Sequence, residues 1–187
     1  CSNTAASGNG GGLFQSSGGN LTVRSTLLAG NAAASGPDCS GALVSADYNL
    51  IQNQSGCVVT GVTNHNLVGQ NPLLGPLAEN GGPTWTHALL YGSPALDAGS
   101  CGAETQDQRG KLRPADIAQL PNEDDGCDIG AFEADVMQTD PVFVVNTTDD
   151  VDDGLCTAQH CSLREAIIAA NANTNATTIN FLAGLRG

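Results

Sequence analysis

Three stretches decide the reading of this chain: LTVRSTLLAGN (21–31), LVSADYNLIQN (43–53) and VTNHNLVGQN (62–71). Each sets alternating aliphatic residues ahead of a short apolar step and closes on an asparagine, at Asn31, Asn53 and Asn71. The closing residues fall 22 and 18 positions apart. Echoes of that length mark a solenoid, in which one coil buries its apolar face only when the next stacks upon it. Alternation places Leu21, Val23 and Leu27 inside, with Thr22 and Arg24 outside. The expected fold is therefore all-β, a parallel β-helix. Asparagine tolerates the left-handed backbone of a sharp turn, and its amide both donates and accepts, so Asn31, Asn53 and Asn71 are expected to form a structural ladder.

Working outward, residues 1–100 read as the β-helix coils. Within them, NGGPTWTHALLYGSPALDAG (80–99) is bulkier and stiffer. Trp85, Leu89, Leu90 and Leu96 are expected to cover the last coil, whose edge and core would otherwise stand open. Residues 101–134 follow as an end-cap segment bracketed by Cys101 and Cys127, and 135–141 as a linker. Residues 142–187 then look like the start of a following β-helix unit: a strand at 143–146, an acidic loop, a helix over 162–172 and a strand at 177–181. Ser162 and Glu165 make a capping box at the helix start. Leu163, Ala166, Ile167 and Ala170 are expected to share its buried face. An end thus precedes a beginning.

Composition narrows the function. The 187 residues include 24 Gly, with only 13% charged and 4% aromatic residues. The aliphatic content is too high for a disordered tail, and the turn formers and β-branched residues argue against a helical bundle. Six basic against 19 acidic residues leave a net charge of −13, which repels phosphate backbones and excludes nucleic acid as a partner. No apolar run is long enough to span a bilayer.

Seven cysteines contain no C-x-x-C pair, which favours disulfides over structural zinc. Proximity suggests Cys39–Cys57, Cys101–Cys127 and Cys156–Cys161, leaving Cys1 as an intermolecular candidate. Oxidised cysteines imply an extracellular or periplasmic setting, and the location expected is extracellular, at the cell surface.

The acidic loop Asp149, Asp150, Asp152 and Asp153 is the best metal candidate, for calcium, although its spacing is not that of an EF-hand and no glutamate closes it. No cofactor is otherwise required. The sequons at 20–22, 53–55, 146–148 and 175–177 are formal glycosylation sites. A polysaccharide lyase or hydrolase would need a base beside calcium-binding acids, or paired acids about 10 Å apart. The coil region offers Arg24, Asp38, Asp47, Asp97, His65 and His87, scattered in sequence, so the expectation is that the chain is not an enzyme.

Two motifs resemble known families. CSLREAI (161–167), following VNTTDDVDDGLC (145–156), resembles the CSLREA motif at the start of β-helical bacterial surface proteins. GSPALDAG (92–99), DQRG (107–110), Arg113–Pro114 and DIGAFE (128–133) resemble the choice-of-anchor Q segment at the end of such solenoids, in proteins similar to polymorphic outer-membrane proteins. The resemblance implies a right-handed β-helix and a surface location, and it supplies no catalytic set. In the end cap, Arg109 and Arg113 lie among Asp107, Asp116, Asp128 and Glu133. Ion pairs of Arg109 and Arg113 with Asp128 and Glu133 are expected to lock this segment down, with a sugar- or phosphate-binding role as the alternative.

The function expected is a structural component of an extracellular fibre, stalk or cell-surface assembly. It would be built by head-to-tail stacking with itself or with neighbouring solenoid repeats of a longer chain. The alternative is an adhesin module binding a host protein or glycan, and catalysis on polysaccharide is the remote one.

Overall fold

The computed structural model describes residues 3–16, 18–118, 120–138 and 141–185. Cys1 lies outside them, and nothing about its partner follows. The described chain is strand-rich, with one helix and three disulfides.

The first half consists of short strands that pair in parallel with the strand one level on. β1 (Thr4–Asn9) pairs with β5 (Ala32–Ser35), and β2 (Leu13–Phe14) and β3 (Leu21–Val23) both pair with β6 (Cys39–Ala46). β6 then pairs with β8 (Cys57–Val62). Beside it, β4 (Leu27–Leu28), β7 (Leu50–Ile51) and β9 (Leu67–Val68) form a second parallel stack. Leu21 sits opposite Leu43 and Leu43 opposite Val59, advances of 22 and 16 residues.

Side chains alternate across a strand, and the stack uses both of its faces. Leu13, Leu21, Leu28, Cys39, Leu43, Ile51, Cys57 and Val59 form one apolar cluster. The neighbouring column, Leu27 over Leu50 over Leu67, belongs to a different cluster with Ala88, Leu89, Ala95, Leu96, Ile117, Ile129 and Phe132. Two-residue strands that carry two aliphatics must turn one of them away from the inner cluster. That outer column needs its own cover.

The segment after residue 73 provides it. β10 (Leu74–Ala78) and β11 (Thr86–Leu89) form an antiparallel pair, and the irregular chain to residue 134 packs on the outer column. This corrects the expectation of a lid on the last coil. Gly130 N–H donates to Ser25 O and Ser25 Oγ–H to Ser100 O, so the segment reaches the first level of the stack. Leu89 and Leu96 are buried in this layer, whereas Trp85 is 60% exposed and is no part of its buried cluster.

The stretch read as a linker is tied down over its described part. Gln138 N–H donates to Cys156 O, its side chain bonds to Val144 and Thr157, and Met137 bridges to Thr157. β12 (Val142–Val145) and β13 (Thr178–Phe181) pair in parallel, with α1 (Leu163–Ala172) against them. The helix turns Glu165, Ala166 and Ala169 inward, while Leu163 and Ile167 stay 44% and 43% exposed. Small alanines let the helix approach the sheet, and the capping box draws Glu165 under its first turn. Leu155 belongs to the same cluster as Leu89, and a Cβ at Gly154 would lie 2.6 Å from Leu89 O. A bare glycine therefore lets residues 154–155 tuck beneath β11.

Candidate functional site

The expected ladder of Asn31, Asn53 and Asn71 is not formed. Asn71 Oδ1 accepts from Leu73 N–H in its own turn. Asn31 and Asn53 are linked through buried Asp38, whose Oδ1 accepts from Asn31 N–H and Nδ2–H and whose Oδ2 accepts from Asn53 N–H. Asparagines stack in two other pairs: Asn3 Nδ2–H donates to Asn31 Oδ1, and Asn49 and Asn66 stack just before β7 and β9. Asn49 is fully buried; its Oδ1 accepts from Thr26 N–H, and its Nδ2 lies within reach of Val23 O, Ser45 Oγ, Asp47 O and Asn66 Oδ1. Asn66 Oδ1 in turn accepts from Asn49 N–H. The recurring Asn-Leu-Ile/Val, at 49–51 and 66–68, was the available signal.

In the end cap the two arginines are held as side chains that orient backbone. Arg109 Nε donates to Asp107 Oδ2 at 2.8 Å, and its guanidinium lies 3.6 Å from the centroid of the Phe132 ring. Arg113 Nε donates to Glu133 Oε2 at 2.8 Å and its Nη2 to Asp128 O at 2.6 Å. Asp128 is therefore not one of the ion-paired acids; Asp107 takes that place. The Asp128 carboxyl faces inward, accepting from Asp97 N–H and Ala134 N–H. The irregular chain has no ladder of its own, so its buried amides need side-chain acceptors. Burial, with Glu133 nearby, pushes the Asp128 carboxyl up to about 8. Burial likewise pushes Asp97 up to about 6. Burial raises Asp107 as well, but bonds from Glu133 N–H, Arg109 and Lys111 N–H outweigh it and hold that carboxyl below its ordinary value.

The four loop aspartates do not converge on one calcium-sized point. Asp150 pairs with Arg164 of α1, Asp149 accepts from Thr147 Oγ1–H and contacts His160 Nε2, and Asp153 faces the other side of that imidazole. Asp152 lies near enough to Arg164 to add to the negative field on its guanidinium. Asp149 and Asp153 are thus turned to opposite sides of one imidazole and Asp150 to a guanidinium. Ligand atoms converge in two groups among the described residues: Cys101, Asp125 and Cys127, whose cysteines are taken up in a disulfide, and Asp153, His160 and Glu165, all within 4.8 Å of one another. Glu165 was read from the sequence only as a cap, and His160 stands beside a cysteine that is taken up in a disulfide, so neither suggested a ligand.

The disulfides join Cys39 to Cys57, Cys101 to Cys127 and Cys156 to Cys161. Of the residues weighed for catalysis, Asp47 and His65 meet, Oδ2 to Nδ1 at 2.7 Å, while the others are engaged elsewhere: Arg24 on Ser100, Asp38 on the turns, Asp97 on Ile117 N–H and His87 on Gly75 O. A groove of about 490 Å³ opens between β4, the β10–β11 pair and the end cap, with exposed Trp85 in its lining beside Leu77, His87, Gln108 and Phe132. No helix among the described residues is long and apolar enough to cross a membrane. Comparison with protein-family models, with curated proteins and with solved structures returned no match.

Proposed function

We propose that this chain is a section of an extracellular, right-handed parallel β-helix that serves as a structural element of a fibre, stalk or cell-surface assembly and is not an enzyme. The observation that carries the reading is the pair of parallel stacks, β3–β6–β8 and β4–β7–β9, in register over successive levels. Cys39–Cys57 cross-links two of those levels, and disulfides fit an oxidising location. The CSLREA-like and choice-of-anchor-like motifs agree with a surface solenoid.

Growth would be head to tail. Among the described pairings β8, β9 and β13 each have one partner, and the apolar residues Val58, Val62, Val68, Phe181 and Leu182 stand exposed on or beside them. Such edges accept a further strand, from a second copy or from a neighbouring repeat, and heterologous contacts that do not close yield filaments. The adhesin alternative rests on the Trp85 groove, where an exposed indole beside polar groups suits the apolar face of a sugar ring.

Negative-stain electron microscopy of the purified chain tests the proposal, with sedimentation across a range of concentrations. Uniform filaments or concentration-dependent end-to-end oligomers are expected. Compact single particles at every concentration would discard self-assembly and turn attention to glycan binding at Trp85.

A further inference from the structure

The acidic loop meets the N-terminus of α1 around His160. The imidazole Nε2 lies 3.1 and 3.3 Å from the two carboxylate oxygens of Asp149. A proton on Nε2 is the natural occupant of that contact, and it leaves Nδ1 with a lone pair. Nδ1 faces Asp153 Oδ2 at 3.2 Å and Glu165 Oε2 at 3.2 Å. Neither approach is aligned as a hydrogen bond, and Nδ1 is a buried polar atom without a hydrogen-bond partner. Three electron-pair donors thus point at one another in a half-buried place, an arrangement that calls for a cation between them.

The spacing suits one. Ligands bound at about 2.0–2.1 Å in a tetrahedron lie about 3.3 Å apart. Both contacts of Nδ1 match that edge. The outer partner is also present, since a metal-bound histidine commonly donates its other ring N–H to a carboxylate, as Asp149 is placed to receive here. The ligands are held in advance. His160 sits in the short loop closed by Cys156–Cys161, with its N–H donated to Thr157 Oγ1. Glu165 is fixed by Ser162 N–H on one oxygen and Asp153 N–H on the other. A cleft of about 180 Å³ lined by Asp153, His160, Thr157 and Gln159 adjoins the group and leaves room for a water as fourth ligand.

We propose that Asp153, His160 and Glu165 bind one divalent cation of the class that takes mixed imidazole and carboxylate ligands, zinc foremost, with Asp149 as the positioning carboxylate. An imidazole in the set favours that class over calcium, which takes oxygen ligands alone. The metal would pin the acidic loop to the start of α1 and so brace α1 against the β12–β13 pair.

The test is calorimetric titration of the chelator-stripped full chain with zinc chloride. Cobalt chloride is added in parallel, because its visible absorption reports tetrahedral nitrogen and oxygen ligation. One equivalent should bind with a dissociation constant on the order of micromolar or tighter, and calcium chloride should not compete. His160→Ala and Asp153→Asn should each weaken binding at least about tenfold, and Asp149→Asn about 10–100-fold. His65→Ala and His87→Ala should leave it unchanged. Asp153 is partly exposed, so its variant keeps the test open even where loss of His160 unsettles the loop. No saturable binding of zinc up to about millimolar concentration, or undiminished binding in either the His160 or the Asp153 variant, overturns the proposal.

Discussion

Replacing Asn49 with alanine probes the stacking most directly. Asn49 is fully buried and its Oδ1 accepts from Thr26 N–H, while its amide hydrogens are shared among Val23 O, Asp47 O, Ser45 Oγ and Asn66 Oδ1. Truncation strands the Thr26 donor and withdraws the donor from two carbonyls. A buried group left without its partner costs about 1–3 kcal/mol, so the total should come to about 3–5 kcal/mol. For a chain of 187 residues that is a fall in Tm of about 6–20 °C. Asn53→Ala is the matched control, because Asn53 is exposed, its side chain holds only Ser55 N–H, and the link to Asp38 runs through its backbone. It should cost about 0.5 kcal/mol. Both are measured by urea unfolding followed by circular dichroism with the disulfides intact. Equal losses in the two variants, or a loss below about 1 kcal/mol for Asn49→Ala, would refute the assignment of the ladder to Asn49 and Asn66.

Stability should also depend on pH in a direction opposite to the usual acidic protein. Asp128 and Asp97 carry carboxyls pushed up to about 8 and about 6, with burial the leading cause in each. The native chain therefore holds protons that the unfolded chain has released, and stability falls as pH rises from about 4 towards 8. Asp107, held below its ordinary value, opposes this only below about pH 4. The charges facing Asp128 are Glu133, Asp97 and Arg113, and Asp128→Asn should flatten the slope of the urea midpoint above about pH 6. Arg113→Met removes one partner of a pair whose side chains are 9% and 1% exposed, and thermal unfolding should show a loss of about 3–5 kcal/mol. The double substitution Cys39→Ser/Cys57→Ser opens a link spanning 18 residues and should cost about 3 kcal/mol, read as a lower urea midpoint in the absence of reductant.

Much of the plan is legible in residues that act locally. The cysteine pairs join near neighbours in sequence, and Ser162 with Glu165 forms the capping box that its spacing announces. The parallel register was visible only approximately. Aligning the repeats on Asn31, Asn53 and Asn71 follows the turns, whereas the strands align on Leu27, Leu50 and Leu67, and loops of unequal length separate the two alignments. The outer column was hidden because two adjacent leucines look the same to a hydrophobicity pattern whichever face each takes. Asp128 and Glu133 looked alike in sequence, yet the fold gives both of them backbone amides and adds an arginine side chain to Glu133. His160 gained its surroundings from Asp149, Asp153 and Glu165, which meet only when the loop closes against the helix.

Gly154 and Leu155 carry a mechanical consequence. Two bodies joined by a free tether orient independently, and a load applied to one is dissipated in the tether before it reaches the other. Here a leucine from beyond the junction is buried against Leu89, and the chain before it has no side chain to prop the contact open. The joint is therefore a packed clasp, and part of any load at one end would pass to the other through this contact instead of through the backbone alone.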